Sequence, residues 1–297
     1  MSDMERPAKI PRFSGSESIA DTTKLFPLLL RDEDGILKSA GKRSVKLIMD
    51  CCSLPKENGS SPQGDDSHFI CDCEQVFGVA DGVGGWAKKG IDAGEYAREL
   101  MLNSATEVKE LPRGSVNPLS VLNEAYSKTK AQGSSTACIV ALREEDNSLH
   151  CANVGDCGFM VIRGDSIFYR SQTQQRRFNC PFQLGNHLKS DTPSSAVEFK
   201  VEVEEGDVIV AGTDGLFDNL FEDNIIQAVK EMTGYIGIYP YGAAWAIAEM
   251  AKMISKDKYL VTPFSLGAEM AGYTHYGGKI DDITVVVAYV VSSSWGY

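Results

Sequence analysis

The sequence predicts an α+β fold in which antiparallel sheets are covered by helices. Two observations support this prediction. Strand patterns occur in clusters, and helical patterns occur in pairs between those clusters. The regular alternation of single strands and helices that builds a parallel nucleotide-binding sheet is absent. The length of 297 residues allows one large domain or two small ones.

The first half of the chain is predicted to contain strands followed by two helices. The first segment, SVKLIMDC, alternates as a half-buried strand does, and two further apolar runs follow a polar loop. These predicted strands are 44–51, 68–73 and 75–80. Apolar residues at helical spacing come next, with a proline in the first turn of the second run. The predicted helices are 91–111 and 118–131.

The second half is predicted to begin with a strand meander and to end with two helices and a strand. The meander strands are 135–143, 148–154, 158–163 and 166–170. Arg163-Gly164-Asp165 supplies a hairpin turn, and two more strands flank Glu205-Gly206-Asp207 within 199–213. The final helices are 223–232 and 242–255, and the final strand, apolar on both faces, is 282–291.

The charge balance and the cysteines limit the function classes. Acidic residues outnumber basic ones 41 to 29, for a net charge of −12, so nucleic acid is not expected as a partner. No apolar run of about 18 residues is present, so no membrane span is expected. The eight cysteines lie mostly in apolar runs, which favours a reducing, intracellular compartment. We expect 1–43 to be a partly ordered leader, 44–291 the folded domain and 292–297 a tail.

Aspartates recur at the ends of the apolar strands. Strands that share one core bring their ends to a common rim, so these carboxylates are expected to lie close together, although a single Asp-Gly pair is equally typical of a turn. The aspartates at strand ends are Asp65, Asp66, Asp81, Asp156, Asp214, Asp218, Asp281 and Asp282.

A cluster of carboxylates needs positive charge, because like charges raise one another's pKa. Hard divalent cations such as Mg²⁺ or Mn²⁺ prefer oxygen ligands, and two of them can share a water and hold a phosphoryl oxygen. The near absence of histidine from these aspartate-bearing segments argues against zinc, although His68 with Cys71 and Cys73 leaves a zinc site open as an alternative. An acidic protein can therefore bind phosphate through metal ions.

Five segments in register resemble the PP2C class of metal-dependent protein serine/threonine phosphatases. These segments are FGVADGVGGW, GSSTACIVAL, NVGDCGFMVIR, GDVIVAGTDGLFDNL and GGKIDDITVVVAYV. The likeness covers about residues 45–291 and is strongest to the branch with DGVGGW, which includes the yeast mitochondrial Ptc-seven-type phosphatases and plant plastid relatives. It implies a β-sandwich of two antiparallel sheets flanked by helix pairs. The implied reaction is hydrolysis of phosphoserine and phosphothreonine in proteins by a water activated between two Mg²⁺ or Mn²⁺ ions.

The resemblance also implies roles for individual residues. Asp81 would bridge the two ions, the Gly82 carbonyl would bind one of them, and Asp214 and Asp281 would bind the other. Asp65 and Asp66 match an acidic pair that holds metal-bound waters, and Asp66 together with Asp81 would be catalytic. Asp156 and Asp218 match a third, weaker metal site. Asp282 takes a position often filled by asparagine and is expected to be structural.

Two positions depart from the family pattern. Val83 stands where many members carry a general-acid histidine, and Ser61 stands where many carry an arginine that binds phosphate. Leaving-group protonation would then come from a metal-bound water. Lys88, Lys89 and Arg43 are candidate phosphate-binding bases.

Several alternatives remain open at this point. The two departures allow a catalytically weak pseudophosphatase that acts as a binding or regulatory module, and a structural metal-binding domain is a third reading. Cys157 and Arg163 have the C-x₅-R spacing of cysteine-based phosphatases, but an apolar strand separates them. The Pro-containing segment 178–185 is either a substrate contact or a packed loop.

The compartment and partners follow from two different signals. The acid-rich start of the sequence favours the cytoplasm, whereas the resemblance favours a plastid or mitochondrion. The expected partner is a phosphoprotein substrate, and the sequence carries no signal for an oligomeric state.

Overall fold

Fourteen strands and six helices are formed by the residues that the structure, a computed structural model, describes; these are 44–295 apart from Asn58, Ser60 and Arg113. The strands are β1 (Val45–Leu54), β2 (Asp66–Cys71), β3 (Val76–Asp81), β4 (Ser134–Ser135), β5 (Ala137–Arg143), β6 (Ser148–Val154), β7 (Gly158–Arg163), β8 (Ser166–Arg170), β9 (Gln175–Arg177), β10 (Cys180–Pro181), β11 (Leu184–Gly185), β12 (Val197–Glu202), β13 (Val208–Gly212) and β14 (Ile283–Ser292). The helices are α1 (Ala93–Glu110), α2 (Pro118–Lys128), α3 (Asp214–Phe217), α4 (Glu222–Ile236), α5 (Pro240–Ser255) and α6 (Pro263–Met270).

Two five-stranded antiparallel sheets form the centre of the fold. The strand order is β1-β14-β13-β7-β8 in the first sheet and β12-β6-β5-β3-β2 in the second. A buried apolar cluster between the sheets joins Phe77 and Val140 of one sheet to Phe159 and Val286 of the other. The predicted α+β sandwich is therefore confirmed.

A helix pair covers the outer face of each sheet. Helices α1 and α2 pack on the second sheet through residues such as Leu100 and Leu122, and α4 and α5 pack on the first through residues such as Ile225 and Ile247. Strand β14 is apolar on both faces because alternate residues point into the inter-sheet core and into the helix layer. This four-layer arrangement confirms the predicted helix pairs.

The structure extends some predicted elements and adds others. The first and last long strands pair over ten residues, so β1 runs on to Leu54 and β14 to Ser292. Helix α6 was not predicted; it is only eight residues long, begins at Pro263, and is capped by Thr262, whose hydroxyl accepts from the backbone N–H of Ser265. The short strands β9, β10 and β11 were also missed, because two or three residues carry no periodic pattern.

The predicted leader, 1–43, lies outside the described residues. The boundaries 44–291 for the domain and 292–297 for the tail stay predictions. Among the residues that the structure describes, no helix combines the length and the apolar character needed to cross a membrane.

Candidate metal centre and active site

Several of the predicted aspartates meet at one end of the sandwich. Asp66 and Asp81 lie opposite each other on the paired strands β2 and β3. Asp156 lies in the turn between β6 and β7, and Asp214 is the first residue of α3, directly after β13. Carboxylate oxygens of Asp81, Asp156 and Asp214 all lie within 4.8 Å of one another. These three residues are called the aspartate cluster below.

Lys279 lies against the aspartate cluster, although sequence reasoning did not select it. Its ammonium group hydrogen-bonds to Asp214 Oδ2. The same group is 2.8 Å from Asp218 Oδ2 and 3.2 Å from Asp281 Oδ2. Burial acts to lower the pKa of Lys279, but these carboxylates raise it above its ordinary value, so the side chain is a permanent cation at neutral pH.

Lys56 is a second cation that sequence reasoning missed. Its Nζ lies 2.9 Å from Asp65 Oδ2, 3.2 Å from Asp281 Oδ1 and 2.8 Å from Asp282 Oδ2. The backbone N–H of Lys56 also donates to Asp282 Oδ1 at 2.9 Å, so this buried carboxylate anchors the loop that carries the lysine. Although burial acts in the opposite direction, Lys279 and Lys56 together lower the pKa of Asp281.

Two of these carboxylates accept a hydrogen bond from a neighbouring side chain on one oxygen and from no group on the other. The Thr213 hydroxyl donates to Asp66 Oδ2 at 2.8 Å, and the Gln175 amide donates to Asp156 Oδ2 at 2.9 Å. A buried carboxylate oxygen without a donor is unusual, because most buried polar atoms have a hydrogen-bond partner. The buried oxygens without a hydrogen-bond partner here include Oδ1 of Asp65, Asp66, Asp156 and Asp214.

Burial and mutual repulsion dominate the electrostatics of the acids. Burial, reinforced by Asp214, raises the pKa of Asp81 well above its ordinary value. The same two causes raise the pKa of Asp156 and of Asp218 to about 7. The charged form of each carboxyl is therefore costly until positive charge is brought close.

The aspartate cluster fits a hard divalent cation better than zinc. The group formed by the described residues contains carboxylates alone, and carboxylate oxygens suit Mg²⁺ or Mn²⁺. Its open, buried oxygen atoms provide donors, and its raised pKa values provide a reason to bind positive charge. Asp281 and Asp218 both contact Lys279, and Asp65 contacts Lys56, which also contacts Asp281. The individual ligand roles of these residues, and of Gly82, stay predictions.

Two glycines allow close backbone packing beside the acids. A Cβ atom on Gly82 would lie 2.2 Å from the carbonyl oxygen of Ala93, and one on Gly215 would lie 2.0 Å from that of Asp282. The N–H of Gly82 donates to the carbonyl oxygen of Asp65 at 3.0 Å. A larger residue at either position would displace the backbone that carries the predicted ligands.

The two departures from the family pattern have simple structural settings. Val83 offers no proton-donating side chain, and its N–H donates to the carbonyl oxygen of Ser134 at 2.9 Å. Ser61 is partly exposed in the loop that leads to β2. Of the candidate bases, Lys88 and Lys89 are exposed and Arg43 lies outside the described residues, so Lys56 and Lys279 are the cations that the structure brings to the acids.

The C-x₅-R segment is not arranged as a phosphate loop. Cys157 is buried, its Sγ lies 2.9 Å from Thr136 Oγ1, and burial together with Asp81 raises the pKa of its thiol. Arg163 lies at the other end of β7 and pairs with Asp207 at 2.8 Å. A protonated, buried thiol and a distant arginine do not form a cysteine nucleophile site.

The remaining alternatives have ordinary structural settings as well. His68 contacts Cys51 Sγ at 2.8 Å, whereas Cys73 lies exposed in a turn beyond the end of β2. The segment 178–185 is packed: the Phe178 ring lies 5.0 Å from that of Phe264. A substrate contact by this segment stays a prediction.

Comparisons with known proteins identify the family. The family model described as Stage II sporulation protein E (SpoIIE) matches residues 74–251, more than half of the chain. The chain is 48% identical over 260 residues to "Probable protein phosphatase 2C 55" of Arabidopsis thaliana, and the aligned region covers 88% of this chain and 55% of that relative. It is 39% identical over 241 residues to "Protein phosphatase PTC7 homolog" of Danio rerio, and the aligned region covers 76% of this chain and 81% of that relative. The chain belongs to the PP2C family of protein serine/threonine phosphatases.

Solved structures agree with a PP2C fold. The photosystem II phosphatase PBCP superposes with a TM-score of 0.76 at 34% identity, over 83% of this chain and 99% of that one. The catalytic domain of the serine threonine protein phosphatase PstP, solved with two manganese ions, superposes with a TM-score of 0.56 at 18% identity, over 84% and 100% of the two chains, and supports the fold alone. This PP2C chain spans 55% and 60% of the lengths of the two Arabidopsis relatives it matches.

Proposed function

We propose that the protein hydrolyses phosphoserine and phosphothreonine in other proteins with the help of Mg²⁺ or Mn²⁺. The observation that carries this proposal is the aspartate cluster, with oxygens of Asp81, Asp156 and Asp214 within 4.8 Å of one another. The family membership supplies the reaction class. We propose that two ions bind, with Asp81 between them, the Gly82 carbonyl on one, and Asp214 and Asp281 on the other.

When bound, the two ions would supply a water of lowered pKa and positive charge for the transferred phosphoryl group. The chain's own residues prepare the site for them. Thr213 holds one oxygen of Asp66, and Gln175 holds one oxygen of Asp156, so each carboxylate presents its second oxygen in a fixed direction. We propose that Asp65 and Asp66 orient the waters around the ions.

Positive charge near the site matters because the substrate phosphate is an anion and the chain carries a net charge of −12. Lys56 and Lys279 each contact three carboxylates, and neither offers an uncompensated charge to a phosphate. Phosphate binding therefore depends on the divalent ions, and activity should disappear when they are removed.

The test is hydrolysis of p-nitrophenyl phosphate with Mn²⁺ by the wild type and by Asp81→Asn. We expect activity in the wild type that EDTA abolishes and Mn²⁺ restores, and none in Asp81→Asn. Asp165→Asn is the matched control, since Asp165 lies on the β7–β8 turn and pairs only with exposed Lys230 among its described contacts. Mn²⁺ binding without turnover by the wild type would instead support the pseudophosphatase alternative.

We propose a plastid or a mitochondrion as the compartment and a phosphoprotein as the partner. The similarity to a photosystem II phosphatase and to plant PP2C proteins supports the plastid in particular. Microscopy of the whole protein fused to a fluorescent protein tests this proposal, and a purely cytoplasmic signal would contradict it. We further propose that 44–291 is the catalytic domain.

A further inference from the structure

An open pocket of about 400 Å³ lies beside α6, and none of the predicted metal ligands is among its lining residues. It is formed by α6 and by the loops before and after it, 256–262 and 271–282. Three tyrosines, two leucines and one glutamate make up much of the lining: Tyr259, Leu260, Leu266, Glu269, Tyr273 and Tyr276. The proposed reaction gives this pocket no role.

Hydrogen bonds between the two loops hold the pocket in shape. The N–H of Gly278 donates to the carbonyl oxygen of Asp257 at 2.8 Å, and the Thr262 hydroxyl donates to that of Gly277 at 2.9 Å. The Asp257 carboxylate also accepts from the backbone N–H of Tyr259 at 2.7 Å. The pocket is therefore preformed, and a ligand that enters it does not have to order the loops first.

The chemistry of the lining favours a cation. Of the described residues that line the pocket, only Glu269 is an aspartate, glutamate, lysine or arginine, and no described lysine or arginine pairs with its carboxylate. The rings of Tyr259 and Tyr276 are exposed and available for contact. A ring face attracts a cation, and a carboxylate forms charge-assisted hydrogen bonds with it. An anion would be repelled by Glu269, and an apolar side chain would remove water from that carboxylate without replacing its hydrogen bonds.

The loop 271–282 connects the pocket to the metal centre. Tyr276 of the pocket precedes Lys279, which contacts Asp214, by three residues. His275 of the pocket wall packs edge-on against Phe264, with ring centroids 4.8 Å apart, and the Phe264 ring lies 5.3 Å from Lys279 Nζ. An extended peptide spans about 3.3 Å per residue, so a substrate held by its phosphate at the aspartate cluster reaches the pocket within about five residues.

We propose that this pocket binds an arginine side chain of the phosphoprotein substrate, within about five residues of the phosphoserine or phosphothreonine. The inference rests on the proposed function, because it names the class of substrate for that site. Glu269 accepts hydrogen bonds from the guanidinium group, and a tyrosine ring packs on its planar face, which a lysine does not offer. The apolar stem of the arginine lies against Leu260 and Leu266.

The test measures kcat/KM at saturating Mn²⁺ for phosphothreonine peptides with alanine at the neighbouring positions. A single arginine is moved through the five positions on each side of the phosphothreonine, and leucine and glutamate are then placed at the best position. We expect arginine at one position, or at two adjacent ones, to raise kcat/KM about tenfold over alanine, and leucine and glutamate to give no such gain.

Variants of the pocket are compared by the ratio of kcat/KM for the arginine peptide to that for the alanine peptide, which cancels changes at the metal centre. Glu269→Gln should lose most of the gain, and Glu269→Arg should prefer the glutamate peptide instead. Tyr276→Phe keeps the ring and should retain more of the gain than Tyr276→Leu. The matched control is Glu124→Gln, an exposed glutamate on α2 over the other sheet, which should keep the full ratio.

The wild-type scan tests the inference even if a variant fails to fold. A wild type that hydrolyses p-nitrophenyl phosphate and the peptides, with no position at which arginine raises kcat/KM, would overturn the inference and leave the proposed function standing. A leucine gain equal to the arginine gain, or a full arginine gain in folded Glu269→Gln, would also overturn it. A wild type with no Mn²⁺-dependent hydrolysis of either kind of substrate would overturn the proposed function, and the inference with it.

Discussion

Asn219 is expected to contribute more to stability than its size suggests. Replacing it with alanine removes three hydrogen bonds of 2.9 Å that a 99% buried amide makes to the backbone of Gly215 and Lys279. Each backbone group left without a partner costs about 1–3 kcal/mol, so Asn219→Ala should lower the free energy of unfolding by about 3 kcal/mol or more. For a domain of this size, that loss corresponds to a fall in melting temperature of about 6–12 °C.

Urea denaturation of metal-free protein, followed by circular dichroism, measures this loss. The matched control is Asn123→Ala, which removes one exposed hydrogen bond to the carbonyl oxygen of Leu119 within α2 and should change stability by less than about 0.5 kcal/mol. A cost of less than about 1 kcal/mol in Asn219→Ala would contradict this prediction, because the amide would then not be holding the Lys279 loop.

Two further predictions follow from the same region. Burial raises the pKa of Asp156 and Asp218 to about 7, so the folded metal-free protein binds more protons than the unfolded chain between about pH 4 and pH 7. The contribution of these groups to stability should therefore fall as the pH rises through that window. Thermal melts in EDTA should show this fall and Asp218→Asn should reduce it, whereas an unchanged dependence of melting temperature on pH in that variant would count against the assignment. Gly215→Ala should destabilise the protein by about 2–3 kcal/mol, because the added Cβ would lie 2.0 Å from the Asp282 carbonyl oxygen. Gly234→Ala in α4 has open space around it and should stabilise the protein by about 0.5–1 kcal/mol. A higher melting temperature for Gly215→Ala than for Gly234→Ala would contradict this prediction.

Long periodic segments made most of the fold predictable. Alternation and uninterrupted apolar runs marked strands such as 135–143 and 282–291, and helical spacing marked 91–111, because burial on one or both faces determines these patterns. Helix α6 and strands β9, β10 and β11 were not predictable in this way. They are short segments whose conformation depends on tertiary contacts, such as the packing of the Phe178 ring against the Phe264 ring.

The aspartates of the site were predictable because each stands at the end of a recognisable strand. Lys56 and Lys279 were not predicted because each lies in a loop, where a lysine belongs to no periodic pattern. The signal that could have found Lys279 is its position two residues before Asp281, since a carboxylate cluster requires nearby cations. Gln175 and Asn219 carry no comparable signal, because their hydrogen bonds join residues 19 and 60 positions away in the sequence.

The proposed phosphate hydrolysis depends on the binding of divalent ions by the aspartate cluster. The most direct measurement is the rate of phosphate release from a phosphothreonine peptide at saturating Mn²⁺, for the wild type and for Asp214→Asn. We expect release by the wild type that EDTA abolishes, and a loss of about 1,000-fold or more in Asp214→Asn at equal circular dichroism, since metal stabilisation contributes several kcal/mol. Equal rates in the two proteins, or release that persists in EDTA, would contradict it.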